Sequence, residues 1–413
     1  MTDFEQLFAR DLRPGAGRWR GSARYNFTGG HTDPEIVPVE GLIASAERVL
    51  RREGQSLAAY NLGGDPLGYA GLRAFVADKL EGKRGIRAAA EEILITSGSL
   101  QGLDLVNEVL LDPGDTVVME EFTYSGAIER ARRRGASIVG VPLDGFGLRT
   151  DRLASVLERL RADGVRPKYI YTIPTIQNPT GTVLTPERRQ ELLRVSAAYG
   201  VPIFEDECYA DLLWEGEWPT ALRGLDGGGE VIHIGSFSKT LAPALRLGYV
   251  NAPWPVLSRL LACKNDGGTP ALEQMIVADF FAARFDDHVG RLKARLRQKL
   301  QILTGALEEQ FGTAAHFRPP PGGIFLWMTL PDAVDTAALA GPAFEAGVAY
   351  NPGPDWAVDR AAARHSLRLC FGHPGPAEIR AGIVRLAEVC HRETGIPERS
   401  ANRARSGQPH GSG

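Results

Sequence analysis

The chain has 413 residues, of which 43% are apolar and 23% charged, so it has the composition of a globular protein and the length for two domains. A formal net charge of -3 gives no reason to expect a nucleic acid or an anionic membrane as a partner. No apolar run approaches the roughly 20 residues of a membrane-spanning helix, the N-terminal residues lack the apolar core of a secretory signal, and the four cysteines lack metal-ligand spacing. We therefore expect a cytoplasmic protein without a metal site.

In chain order, helices are predicted over residues 39–53 and 69–81. Apolar runs typical of buried strands then alternate with helical stretches, and they lie at residues 93–96, 116–119, 137–141, 168–173, 201–205 and 231–234. One intervening helix has clear boundaries, with Thr185 as N-cap, Pro186 at its first position and Gly200 beyond its end. This alternation predicts a mostly parallel sheet between two layers of helices.

The pattern changes after about residue 270. A long helical segment is predicted over residues 272–309, with Gly290 as a possible break, and it is followed by strands at 322–330 and 366–371 and helices near 336–346 and 377–391. We therefore predict a large domain at residues 55–295 and a small α+β domain made of residues 1–54 and 296–395. The polar, Gly-rich tail at 396–413 is predicted to be disordered.

A single lysine follows the last of the strand-like runs. The run that begins at Val231 breaks at Gly235-Ser236-Phe237-Ser238 and places Lys239 beyond the carboxyl end of the strand, where open α/β sheets bind ligands. Arg246 lies seven residues further on. Serine and arginine suit a phosphate group, and a lysine with a lowered pKa suits a Schiff base, although most single lysines are solvated surface charges.

Further motifs stand at the ends of other strand-like runs. They read SGSLQG from Ser97, QNPTG from Gln177 and EDECY from Glu205. Together with the segment SFSK they occur in the order typical of the fold-type I PLP-dependent enzymes, and the chain resembles the class I/II aminotransferases from Asn26 to Phe371. It is most similar in these motifs to the subgroup that contains 2-aminoadipate and kynurenine aminotransferases. The resemblance implies an α/β fold with a seven-stranded sheet.

The resemblance also implies pyridoxal 5'-phosphate (PLP) as the cofactor, attached to Lys239. Its phosphate would be bound by groups at the start of one helix and near the lysine, namely Gly98, Ser99, Leu100, Ser236, Ser238 and Arg246. A helix N-terminus suits this role because its free N–H groups face the anion.

The pyridine ring of the cofactor would have three further neighbours. Asp206 would keep the ring nitrogen protonated, since the ring accepts electrons only in that state. Tyr209 and Asn178 would donate hydrogen bonds to the phenolic oxygen, and Tyr124 would stack on the ring.

An amino-acid substrate adds a carboxylate. Arg368 lies in an apolar strand, where a charge needs a partner or a bound anion, and it resembles the carboxylate-binding arginine of aminotransferases. Asn178 and Gly30 would also contact the substrate. Tyr60 matches the family tyrosine that reaches the phosphate of the neighbouring subunit, which implies a homodimer with shared active sites. Two loops, at residues 29–35 and 351–356, depart from the family pattern and leave the substrate side chain unassigned.

The implied reaction is transamination between an α-amino acid and a 2-oxo acid, with Lys239, Asp206 and Tyr209 as catalytic residues. One alternative keeps the cofactor but gives an oxidase, a decarboxylase or a lyase, because a fold does not fix the reaction. A second alternative is a non-catalytic sensor attached to a DNA-binding domain, but we expect no winged helix in the sequence ahead of Ser97.

Overall fold

The computed structural model describes residues 4–8, 12, 15–19, 21–226 and 230–398, so most of the tail predicted to be disordered lies outside the described residues. The α-helices of the described residues are α1 (Val39–Glu53), α2 (Ala70–Arg84), α3 (Ser99–Leu110), α4 (Ser125–Arg133), α5 (Thr150–Ala162), α6 (Pro186–Tyr199), α7 (Leu222–Leu225), α8 (Trp254–Cys263), α9 (Ala271–Phe311), α10 (Thr336–Glu345) and α11 (Pro376–Thr394). Within these residues, none of the helices combines the length and the apolar composition needed to cross a membrane.

The larger sheet has seven strands: β1 (Ile93–Thr96), β2 (Thr116–Glu120), β3 (Ser137–Val141), β4 (Ile170–Thr172), β5 (Ile203–Asp206), β6 (Val231–Ser236) and β7 (Gly248–Asn251). Their order across the sheet is β1-β7-β6-β5-β4-β2-β3. All neighbours run parallel except β7, which is antiparallel to both β1 and β6. The prediction of a mostly parallel seven-stranded sheet is confirmed.

Both faces of this sheet are buried, which is why its strands read as continuous apolar runs. Along β2, Val117 and Met119 belong to the core that contains residues of α3, α4 and α8. The intervening Val118 belongs to the opposite core, with residues of α5 and α6. Successive side chains of a strand point to opposite faces, so one run of apolar residues supplies both cores.

Local signals set the ends of several elements as predicted. At the start of α6 the Thr185 side chain accepts a hydrogen bond from the Arg188 N–H at 3.3 Å, and Gly200 ends the helix at φ 62°. The predicted break of the strand at Gly235 is wrong, because β6 continues to Ser236. Gly235 pairs with Tyr249 of β7, and a Cβ at Gly235 would collide with that tyrosine ring.

The smaller sheet is antiparallel and has four strands in the order β8-β9-β11-β10: β8 (His316–Phe317), β9 (Phe325–Thr329), β10 (Asn351–Pro352) and β11 (Ser366–Cys370). The N-terminal strand Tyr25–Asn26 pairs in parallel with Val348–Ala349, so the N-terminal segment packs with this C-terminal unit. One buried core joins Phe27, Leu292, Phe325 and Ile383.

The helix α9 links the two parts of the chain. It runs for 41 residues without a break, so the predicted interruption at Gly290 is wrong. It contacts α1 and α2 as well as α11, and it passes through the predicted boundary between residues 295 and 296. The division at that point stays a prediction.

Candidate active site

The carboxyl ends of the parallel strands meet at one edge of the large sheet. Because β7 is antiparallel, its amino end lies at the same edge, and this places Arg246 beside the residues that follow β1 and β6. A cavity of about 320 Å3 opens there. Its walls include twelve of the predicted site residues: Gly30, Ser99, Leu100, Tyr124, Asn178, Asp206, Tyr209, Ser236, Ser238, Lys239, Arg246 and Arg368.

Lys239 reaches into this cavity from the turn after β6. Its Nζ donates a hydrogen bond to the carbonyl oxygen of Gly30 at 2.7 Å and lies 6.0 Å from the centre of the Tyr209 ring. Burial lowers the pKa of Lys239 from its ordinary value. A lowered pKa favours the neutral amine, which is the nucleophilic form.

Next to the lysine, backbone and side-chain groups form a cradle suited to an anion. The helix α3 begins at Ser99 with its N-terminus at the cavity, and Arg246 lies against Gly98, where a Cβ would collide with the guanidinium. Ser236 Oγ accepts a hydrogen bond from the Ser238 N–H at 3.1 Å. Gly98 has φ 80°, which favours glycine. This arrangement fits a phosphate group.

One carboxylate also lines the cavity. Asp206 ends β5, where its Oδ2 accepts a hydrogen bond from the Tyr171 hydroxyl at 2.7 Å and its Oδ1 accepts one from the Cys208 N–H at 3.1 Å. Burial raises the pKa of Asp206 from its ordinary value. A cationic ring nitrogen beside it would have the opposite effect, because an adjacent positive charge favours the ionised carboxylate.

The acids on either side of Asp206 are used elsewhere. Glu205 accepts a hydrogen bond from the Leu222 N–H at 2.6 Å and lies 2.9 Å from His233 Nδ1, and Glu207 forms a buried ion pair with Arg84. The family resemblance assigns only Asp206 of this run to the site, and the structure shows that the other two acids are held by buried partners.

Arg368 forms the far wall of the cavity. Its guanidinium donates hydrogen bonds to Asn178 Oδ1 at 3.1 Å, to Asn351 Oδ1 at 2.9 Å and to the carbonyl oxygen of Gly29. It lies 3.8 Å from the centre of the Trp356 ring. Only 2% of Arg368 is exposed, its Nε has no partner, and burial lowers its pKa. A buried cation whose contacts are all neutral is suited to bind a carboxylate.

Two tyrosines complete the walls. Tyr209 is buried and packs edge to face on Phe325, with the ring centres 5.0 Å apart, and burial raises its pKa well above the ordinary value. Tyr124 lies 6.0 Å from Trp356, measured between ring centres, and burial also raises its pKa. Both hydroxyls therefore stay protonated and can donate hydrogen bonds at neutral pH.

Two predicted site residues are not among those that line the cavity, namely Gly98, which lies against Arg246, and Tyr60. Tyr60 is 86% exposed and lines a separate surface pocket with Leu261 and Lys264, so its own chain does not place it in the cavity. The predicted role of Tyr60 depends on a second subunit.

Sequence reasoning missed some of the residues that shape the site. Tyr171 reads as one more apolar residue of a strand, although a buried tyrosine needs a hydrogen-bond partner and is therefore a weak signal. Asn351 and Trp356 belong to the loop whose sequence departs from the family pattern. The structure shows that both contact the Arg368 guanidinium.

These features fit PLP better than they fit a purely structural cluster. A lysine amine of lowered pKa, a cradle suited to an anion and a buried carboxylate line one cavity, together with a buried arginine whose contacts are neutral. The family model for class I and II aminotransferases matches residues 36–386.

The chain belongs to this aminotransferase family. Aromatic-amino-acid aminotransferase 1 of Thermococcus litoralis is 33% identical to it over 371 residues, which cover 89% of this chain and 88% of that protein. The 2-aminoadipate transaminase of Thermus thermophilus is 35% identical over 372 residues, covering 88% of this chain and 89% of the relative.

The fold is shared with solved aminotransferases. The crystal structure of α-aminoadipate aminotransferase from Thermus thermophilus, complexed with N-(5'-phosphopyridoxyl)-L-leucine, has a TM-score of 0.84 and 33% sequence identity, and the match covers 95% of this chain and 99% of that one. This chain is therefore a PLP-dependent aminotransferase.

Proposed function

We propose that Lys239 is the covalent attachment point of PLP and that Arg368 binds the carboxylate of an α-amino acid whose amino group passes to a 2-oxo acid. The observation that carries this proposal is the placement of a lysine amine and a buried guanidinium on the walls of one cavity of about 320 Å3. An α-amino acid with its carboxylate on Arg368 would extend its amino group toward Lys239.

The other residues that line the cavity would bind the phosphate and the ring nitrogen of the cofactor. The N-terminus of α3, with Ser99, and the side chains of Ser236, Ser238 and Arg246 would hold the phosphate. Asp206 would hold a proton on the ring nitrogen, and in that state bound PLP supplies an electron sink for the charge left when the α-proton departs.

Three residues would handle the proton and the phenolic oxygen. Lys239 Nζ would take the proton from the α-carbon as a general base, for which its lowered pKa suits it. Tyr209 and Asn178 would donate hydrogen bonds to the phenolic oxygen. Tyr124 would stack on the ring and exclude water from one face.

For the amino donor we propose an amino acid with a large side chain. Two relatives are named for aromatic amino acids and for 2-aminoadipate. The aromatic ring of Trp356 lines this cavity. It offers apolar area to a long or aromatic side chain.

We also propose a homodimer with shared active sites. Tyr60 is 86% exposed, and the same region exposes Val39 and Ile43, each 55% exposed, and Leu57, 42% exposed. A second copy would cover this apolar surface and bring Tyr60 to the partner's phosphate cradle. Light scattering should give twice the mass of one chain, and a monomer would contradict this proposal.

We place the enzyme in the cytoplasm. The four cysteines are free thiols, which suits a reducing compartment. Fractionation of cells that produce the protein should recover it in the cytoplasmic fraction.

The decisive experiment is a half-reaction on the holoenzyme. L-2-Aminoadipate, L-phenylalanine and a broad panel of other amino acids are added one at a time without an acceptor, and the visible absorbance of the bound cofactor is followed. Transamination predicts a bleaching that 2-oxoglutarate reverses. Oxygen uptake, or release of carbon dioxide without any acceptor, would indicate the oxidase or decarboxylase reaction instead.

A further inference from the structure

A buried glutamate lies behind the wall formed by Asn178. Glu120 ends β2 and is 1% exposed. Its Oε1 accepts a hydrogen bond from Thr172 Oγ1 at 2.6 Å and one from the Ile173 N–H at 3.2 Å. Its Oε2 accepts hydrogen bonds from Gln177 Nε2 at 2.9 Å and from Thr123 Oγ1 at 3.3 Å. The four groups around the carboxylate are therefore all donors, and no cation contributes to these contacts.

Gln177 has no alternative arrangement available. Its Nε2 also donates a hydrogen bond to the carbonyl oxygen of Phe122 at 2.7 Å. Its Oε1 accepts hydrogen bonds from the N–H of Thr180 at 2.9 Å and from the hydroxyl of Thr180 at 2.6 Å. Both amide hydrogens and both lone pairs are used, and a flipped amide would lose the bonds with Glu120, with the Phe122 carbonyl and with the Thr180 N–H. The side chain fixes the turn that follows it.

Glu120 therefore contacts two segments that end at the same guanidinium. The first segment runs from Gln177 to Asn178, whose Oδ1 accepts a hydrogen bond from Arg368 Nη1 at 3.1 Å. The second runs through Thr123, whose N–H donates a hydrogen bond to the carbonyl oxygen of Trp356 at 2.9 Å, and the Trp356 ring lies over Arg368.

We propose that Glu120 is a positioning residue for the substrate carboxylate: through Gln177 and Thr123 it holds the two segments that orient Arg368. This inference rests on the proposed role of Arg368. It adds that the orientation of the arginine depends on a carboxylate that touches neither substrate nor cofactor.

The chemistry of the donors supports the choice of a glutamate at this position. Two of the four donors, the Ile173 N–H and the Gln177 amide, cannot act as acceptors. A glutamine at position 120 would be nearly isosteric, but its amide N–H would face one of these donors. Burial raises the pKa of Glu120 to about 7, against the effect of these donors.

The first test needs no turnover. Hydrogen exchange is measured by mass spectrometry on the apo protein at about pH 8, where Glu120, with a pKa of about 7, is mostly ionised, and wild type is compared with Glu120→Gln. We expect amide exchange to become about tenfold faster in the segments 121–124 and 173–182. Each segment donates hydrogen bonds to the buried carboxylate, and losing one such bond should lower the free energy of local opening enough to give about that factor. Exchange in α11 should be unchanged. Unchanged exchange in both segments would overturn the proposal.

The second test separates positioning from general destabilisation. In the holoenzyme, with L-2-aminoadipate and L-phenylalanine as probes, Glu120→Gln should raise KM about tenfold and change kcat less. The matched control is Tyr169→Phe, which removes a buried hydrogen bond of 2.7 Å between the residue before β4 and Asn107 of α3 and should leave KM unchanged. An equal rise of KM in both variants would overturn the proposal.

A double-mutant cycle tests the route. Gln177→Leu removes the hydrogen bond between Gln177 and Glu120 by changing the donor instead of the acceptor. It can therefore replace Glu120→Gln in the tests if that variant does not fold. If Glu120 acts through Gln177, the two changes in KM should not multiply in the double variant. Multiplying effects would show that the two residues act independently. If neither probe reacts with the wild type, the proposed substrates are wrong, and the exchange result still decides the role of Glu120.

Discussion

Replacing Arg368 by lysine keeps the positive charge of the proposed carboxylate site but removes the planar guanidinium group. The guanidinium makes two side-chain hydrogen bonds, at 3.1 and 2.9 Å, and lies 3.8 Å from the Trp356 ring centre. These contacts hold the planar fork in one orientation, in which the Nε–H has no partner and can bind a carboxylate. A lysine ammonium offers no such fork.

The size of the effect follows from these contacts. One charge-assisted hydrogen bond is worth about 1.5–3 kcal/mol, so Arg368→Lys should lower kcat/KM for an amino acid by about 10- to 100-fold. Arg368→Ala removes the charge altogether. It should cost about 3–5 kcal/mol, which corresponds to a loss of at least about two orders of magnitude.

The assay compares two probes that differ by the carboxylate. Rates of cofactor bleaching are measured with L-phenylalanine and with phenethylamine, which has no carboxylate. The wild type should strongly prefer L-phenylalanine, and Arg368→Lys should reduce that preference by lowering only the rate with the amino acid. The control is Arg188→Lys. Arg188 forms an ion pair with Asp144, with 2.6 Å between nitrogen and oxygen, and this pair does not line the cavity. An unchanged preference in Arg368→Lys would refute the assignment of the carboxylate to this residue.

Four other predictions concern the remaining walls. Borohydride reduction should attach the cofactor to Lys239, and peptide mapping that finds the label elsewhere, or a labelled Lys239→Ala variant, would contradict the covalent role. Asp206→Asn should lower kcat by about two orders of magnitude or more in the half-reaction, because the ring nitrogen loses an anionic partner worth about 3–5 kcal/mol; activity near that of wild type would exclude the role. Tyr171→Phe removes the 2.7 Å hydrogen bond to Asp206 and should lower kcat about tenfold. A variant that loses only thermal stability would show that this hydrogen bond has no part in catalysis. Burial raises the pKa of Glu120 to about 7 from 4.5, so between these pH values the folded state binds more protons than the unfolded state. The free energy of unfolding should therefore fall by up to about 3 kcal/mol as the pH rises through this range. Urea titrations should show this loss in the wild type and not in Glu120→Gln.

The sequence determined those features that depend on local patterns. The apolar runs placed six of the seven strands of the large sheet, because strands buried on both faces need continuous apolar sequence. Thr185, Pro186 and Gly200 set the ends of one helix through hydrogen bonds and backbone angles within a few residues. Lys239 and the acidic run at residues 205–207 could be placed at the site because residues at the carboxyl ends of parallel strands meet at one edge. The choice of Asp206 within that run came from the family resemblance.

Only the tertiary structure decided the features that depend on contacts between distant segments. The long helix continues through Gly290, which is exposed, because the cost of about 1 kcal/mol for a glycine in a helix is offset by packing of that helix against α1, α2 and α11. The hydrogen bond from Tyr171 to Asp206 joins two strands, and the contacts of Arg368 with Asn351 and Trp356 join separate loops. The spacing of residues along the sequence does not predict these contacts, because they form only when the sheet and the loops have assembled.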